Sequence, residues 1–189
     1  PHLLWTLPAA DDARAVIAGK PFLYTRPPWR PVLEDDIKAL GPLAQLIGVW
    51  VGDAGKDVAP SPDRGVARTG YRERIVMRSI GRVDNHEQVL QGLEFQKTAW
   101  RLPLDVEFHA ETGYWLWDAE REQVMQAFLV PRGITVLAGG SATADATRLE
   151  LSAELGSPTF GICSNPFLDA EFKTVRYELE VELAEAGAM

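Results

Sequence analysis

The chain has 189 residues, 46% of them hydrophobic, which is enough for one substantial core in a single β-rich domain. Asp and Glu (27) outnumber Lys and Arg (19), and the formal net charge of -8 argues against binding nucleic acid or an anionic membrane, since either needs a basic face. No apolar run approaches the ~20 residues of a membrane span, no signal peptide opens the chain, and Cys163 is the single cysteine, so an internal disulfide and a cysteine-built zinc site are excluded and a reduced, cytoplasmic protein is expected.

Residues 1–40 read as an accessory segment and residues 41–189 as the main domain. Asp11-Asp12-Ala13-Arg14-Ala15-Val16-Ile17-Ala18-Gly19 predicts a short helix, acidic at its start and closed by glycine. Pro21, Pro27, Pro28 and Pro31 then impose an extended path interleaved with Phe22, Tyr24 and Trp29, an aromatic strap packed against the body. Residues 33–46 predict helix with a break at Gly41-Pro42, where proline suits a first helical turn.

From Ile47 the hydrophobic period changes to two. Strands are expected within 71–78, 88–100, 105–117, 123–130, 134–138, 147–153, 159–163 and 171–183, with turn chemistry between them at Asp84-Asn85, Leu102-Pro103, Pro131-Arg132-Gly133 and Gly139-Gly140. About ten strands with short turns and no intervening helices imply an all-β antiparallel up-and-down meander, which closes into a barrel to remove its edges. A β-sandwich is the competing architecture. In the last strand Val175, Tyr177, Leu179, Val181 and Leu183 face inward, and Arg176, Glu178, Glu180 and Glu182 form a solvated face.

Two stretches carry the candidate site. Gly48-Val49-Trp50-Val51-Gly52, followed by Gly55, lets a strand leave the helix sharply and turns the Trp50 indole inward to plug one end of the barrel. In Phe108-His109-Ala110-Glu111-Thr112-Gly113-Tyr114-Trp115-Leu116-Trp117, strand alternation puts His109, Glu111, Trp115 and Trp117 on one face. If that face lines the cavity, Glu111 orients the His109 imidazole in an indole-walled pocket; a one-residue bulge would exchange the two faces. His2 and His86 are expected to be exposed, Cys163 is expected to be buried, and no P-loop, dinucleotide or Gly-x-Ser-x-Gly motif occurs.

These two stretches together resemble the nitrobindin family, heme-binding β-barrels related in shape to fatty-acid-binding proteins and lipocalins. The resemblance runs over about residues 40–185. It implies an antiparallel barrel of about ten strands and, from better-studied members, ferric heme held by a histidine near the C-terminal end and reactive toward nitric oxide or peroxynitrite. The chain departs from the family at Asp53-Ala54-Gly55, at Val58-Ala59-Pro60, and in having no histidine after His109. His109 matches the family's cavity histidine rather than its axial one, and is the metal ligand available if heme binds.

Three readings follow. The first is a non-enzymatic binder of a small hydrophobic ligand, using Trp50, His109, Glu111, Trp115 and Trp117. The second is a ferric heme protein with peroxynitrite isomerase-like activity. The third is a filled barrel whose N-terminal strap docks a partner. Nothing in the motifs requires catalysis, and a homodimer would have to use faces, loops or the strap.

Overall fold

The computed structural model describes residues 34–183, together with three short strands nearer the N-terminus. The chain divides into two compact units, Pro1–Pro31 and Val32–Met189. In the first, β1 (Leu4–Thr6), β2 (Arg14–Ile17) and β3 (Lys20–Leu23) form an antiparallel sheet in that order. The helix expected over residues 11–19 is thereby corrected: β-branched Val16 and Ile17 favour a strand, and residues 14–17 pair antiparallel with residues 20–23. Tyr24, Pro27, Pro28, Trp29 and Pro31 of the expected strap lie outside the described residues.

The second unit opens with α1 (Glu34–Ala39) and a 3-10 helix (Gly41–Leu46), broken at Gly41-Pro42 as expected. There follow β4 (Gly48–Pro60), β5 (Val66–Asn85), β6 (Gln88–Arg101), β7 (Val106–Asp118), β8 (Gln123–Val130), β9 (Ile134–Ser141), β10 (Arg148–Leu155), β11 (Gly161–Ser164), α2 (Pro166–Glu171) and β12 (Arg176–Glu182). They make a nine-stranded, mostly antiparallel sheet in the order β12-β10-β11-β9-β8-β7-β6-β5-β4.

Three features depart from the expected meander. β11 lies between β9 and β10, antiparallel to the first and parallel to the second. β4 and β12 are the two edges, and no hydrogen-bonded pairing joins them among the described residues, so the sheet is not closed by its ladder. A helix, α2, does intervene: Asn165 Oδ1 accepts from the Leu168 amide at 3.0 Å and Pro166 occupies the first turn, so the last strand begins only at Arg176.

Alternation along β6, β7, β8 and β10 brings Leu93, Phe95, Trp115, Trp117, Phe128 and Leu149 into one buried cluster. Leu40, Leu43 and Leu46, before and along the 3-10 helix, belong to the same cluster. Cys163 is exposed, not buried as expected, because on short β11 its neighbour Ile162 takes the inward position.

Beyond Trp117, the buried Asp118 carboxylate ties the β7–β8 connection. It accepts from Gln88 Nε2 at 3.0 Å, from the Arg121 amide at 3.1 Å and from Arg121 Nη1 at 3.2 Å. Burial alone would raise its pKa, but these donors together hold it below the ordinary 3.8. Asp118→Ala is expected to cost about 1–3 kcal/mol at neutral pH, because it removes the buried, charged acceptor that three donors share. A carboxyl with a depressed folded-state pKa contributes stability above its unfolded value and loses it as pH falls through the folded one. The gap between wild type and variant in denaturant midpoint should therefore narrow below about pH 4; a gap that widens there would refute the assignment.

Candidate functional site

A cavity of about 630 Å³ takes side chains from both edges of the sheet, Trp50 on β4 and Tyr177, Leu179 and Val181 on β12, so the sheet curls around it. The register explains the wall between them. Ile75 on β5 stands opposite Lys97 on β6, and Lys97 opposite Glu111 on β7. One level further along, Met77 faces Phe95, and then Trp115 faces Gln126 on β8. Gly113 lies between Phe95 and Phe128 in the ladder, and over it their rings meet edge-on with centroids 6.4 Å apart. The wall is thus apolar and aromatic with a few polar groups inserted.

Those polar groups are organised. Lys97 Nζ lies 3.2 Å from Glu73 Oε2. Burial would lower the Lys97 pKa, but attraction to Glu111 and Glu73 and the bond to Glu73 outweigh it, so the ammonium form is favoured beyond the ordinary lysine. The Tyr177 hydroxyl donates to Gln126 Oε1 at 2.9 Å. Burial, and then the charge of Glu111, push the Tyr177 pKa upward, which keeps the phenol protonated.

The candidate residues divide. Trp50, Glu111 and Trp115 line the cavity. Trp50 is not the buried plug expected of it: 48% exposed, it stands at the rim with Nε1 donating to the Leu46 carbonyl at 2.8 Å. His109 is not among the lining residues; its Nε2 bonds Glu111 Oε1 at 2.7 Å. Trp117 is in the core rather than the wall, with its indole packed against Gly41 of the 3-10 helix. The bulge that would decide the inward face falls at Phe108, between the Ala99–His109 and Trp100–Glu107 pairs, so from His109 onward the alternation runs unbroken.

The glycine motif shapes the approach to the rim. Gly48, at φ 136°, turns the chain from the 3-10 helix into β4. The register slips between Gly52 and Gly55, and the Tyr71 ring packs so closely over Gly55 that an added Cβ would lie 2.5 Å from it.

Lys97, Gln126 and Tyr177 are among the wall residues that motif reading passed over or left without a role. A signal was present. Lys97 follows Leu93 and Phe95 at alternate positions, and Gln126 lies between Val124 and Phe128, so each is a polar residue on an apolar phase. Among the described residues no group of histidine, cysteine and carboxylate side chains is placed to hold a metal ion.

A search of curated proteins returns no match. A family described as the THAP4-like, heme-binding beta-barrel domain matches residues 39–188, which takes in the 3-10 helix and the whole nine-stranded sheet. The chain belongs to the THAP4-like, heme-binding beta-barrel domain family, in keeping with its nitrobindin-like motifs.

Proposed function

We propose that the domain holds a small, largely apolar molecule in the cavity and performs no chemistry on it. The observation that carries this reading is a cavity of about 630 Å³ whose wall is aromatic and aliphatic with a few placed polar groups. That volume falls inside the ~300–1,000 Å³ of small-molecule pockets. The contribution of both edge strands to one wall supports a barrel completed by side-chain packing across the β4–β12 seam, as in lipocalin-like and fatty-acid-binding-protein-like containers. A filled barrel acting as an interaction module is disfavoured by the same volume.

Heme is the second reading, favoured by membership of a heme-binding family. The donor set does not fit it. Among the described residues no histidine or cysteine lines the cavity, the Tyr177 phenol is held protonated and bonded to Gln126, and His109 is committed to Glu111 outside the lining.

Titration with N-phenyl-1-naphthylamine, a neutral dye that brightens in apolar surroundings, tests the container. Saturable enhancement is expected, weakened at least about tenfold by Leu179→Trp, which fills the cavity from β12. A parallel hemin titration should give no saturable Soret shift. Dye binding indifferent to Leu179→Trp would sink the container reading, and a Soret shift abolished by His109→Ala would replace it with heme.

A further inference from the structure

Within that container, Trp115 on β7 and Gln126 on β8 stand directly opposite one another and are 2% and 4% exposed. Both line the cavity. The Trp115 indole N–H is buried and has no acceptor among the described residues. Gln126 spends its amide oxygen on the Tyr177 hydroxyl, and no acceptor among the described residues takes the amide N–H groups. Native interiors rarely leave a buried donor such as Trp115 Nε1 unmatched, and an acceptor bound at this wall, within reach of the Gln126 amide as well, would satisfy it.

The charges narrow the chemistry of that acceptor. Lys97, Glu111 and Glu182 are the ionic residues on the wall, one cation against two anions. The Lys97 ammonium is already held by Glu73 at 3.2 Å and stands opposite Glu111 in the ladder. An incoming carboxylate would find no unengaged cation and would meet the field of Glu111, so its desolvation would go uncompensated. An organic ammonium would be attracted by Glu111 but would leave the Trp115 donor unanswered. A neutral oxygen suffers neither penalty.

We infer that the occupant is an uncharged molecule with an apolar body and a carbonyl-type oxygen, which accepts from Trp115 Nε1 and the Gln126 amide, and that the cavity refuses carboxylates. The inference rests on the container reading and names the ligand class for the same site. It sets this chain apart from a carrier of fatty acids as anions.

Three near-isosteric naphthalenes test it by displacing N-phenyl-1-naphthylamine at pH 8: 2-acetylnaphthalene with a ketone, 2-ethylnaphthalene without an acceptor, and 2-naphthoate with a carboxylate. The ketone is expected to compete at about tenfold lower concentration than the hydrocarbon, although it is the less hydrophobic of the two, as the net gain of a hydrogen bond allows. The naphthoate is expected to be the weakest competitor. Trp115→Phe, which removes the N–H and keeps an aromatic ring, should erase most of the ketone's advantage over the hydrocarbon, the two compared on the same variant. Gln126→Glu, which keeps an acceptor for Tyr177, should do the same and serves if Trp115→Phe does not fold. Dye binding with hydrocarbon and ketone equal in wild type, or with naphthoate competing as well as the ketone, would overturn the ligand class and leave the container standing. No dye binding at all would overturn both.

Discussion

Replacing Trp117 with alanine is expected to cost about 3–5 kcal/mol of stability, the range for truncating a buried aromatic. For a domain of this size that corresponds to a fall in melting temperature of roughly 10 °C or more. The side chain is 2% exposed, pairs across the ladder with Val124, and meets Gly41 where the 3-10 helix crosses the sheet. Removing it opens a void between helix and sheet that neither can close without shifting Leu43 or Val124, both of them buried. Because Trp117 does not line the cavity, dye affinity measured well below the melting transition should be little changed. A variant of unchanged stability that had lost dye binding would put Trp117 in the wall after all.

The second large effect is expected at Lys97. Lys97→Met removes the cation between Glu73 and Glu111 while keeping the unbranched side chain. The pair is 26% and 28% exposed, so a loss of about 2 kcal/mol at pH 8 is expected, below the range for a fully buried pair. The pH dependence identifies the cause. In wild type the raised Lys97 pKa contributes stability that is complete below the unfolded lysine value and lost only as pH rises through the folded one, at the alkaline extreme. In the variant Glu73 and Glu111 lose the cation they share, uncompensated carboxylate charge in the partly buried wall becomes costly, and the folded state binds more protons than the unfolded state. Stability then falls as pH rises, so the deficit should shrink markedly between pH 8 and pH 5. His109 also bonds Glu111, and repeating the comparison on His109→Gln separates its share. Denaturant midpoints at the two pH values provide the check; an offset equal at both would mean that packing, not charge, explains the loss.

Much of the fold was legible because the main sheet rests on local alternation. Residues 123–130 come out as β8 with both ends as expected, and the helix break falls at Gly41-Pro42. What was not legible is non-local. No pattern within β11 says that it inserts between β9 and β10, and β5 extends well beyond the expected 71–78 because Gly70 and Gly81 interrupt its alternation. The Asn165-Pro166 helix start was readable and was passed over.

The site shows a similar limit. Period two assigns Glu111, Trp115 and Trp117 to one face of β7, yet only the first two border the cavity. A strand reports which way a side chain points, not what lies above it, and at Trp117 the 3-10 helix lies above. Residue type misled in the other direction. Trp117 and His109 drew attention as ligand-binding chemistry and lie outside the lining, while Lys97 and Gln126 occupy the wall with more ordinary side chains.

The placement of β12 bears on how the cavity can open. Tyr177, Leu179 and Val181 form one side of the cavity, yet among the described residues their strand is laddered to β10 alone. Strands β6 and β7 are held from both sides, so detaching either breaks two ladders, whereas peeling β12 breaks one. Edge segments of this kind open at a lower free energy than the sheet as a whole. Local detachment of β12 would therefore uncover one side of the cavity without global unfolding.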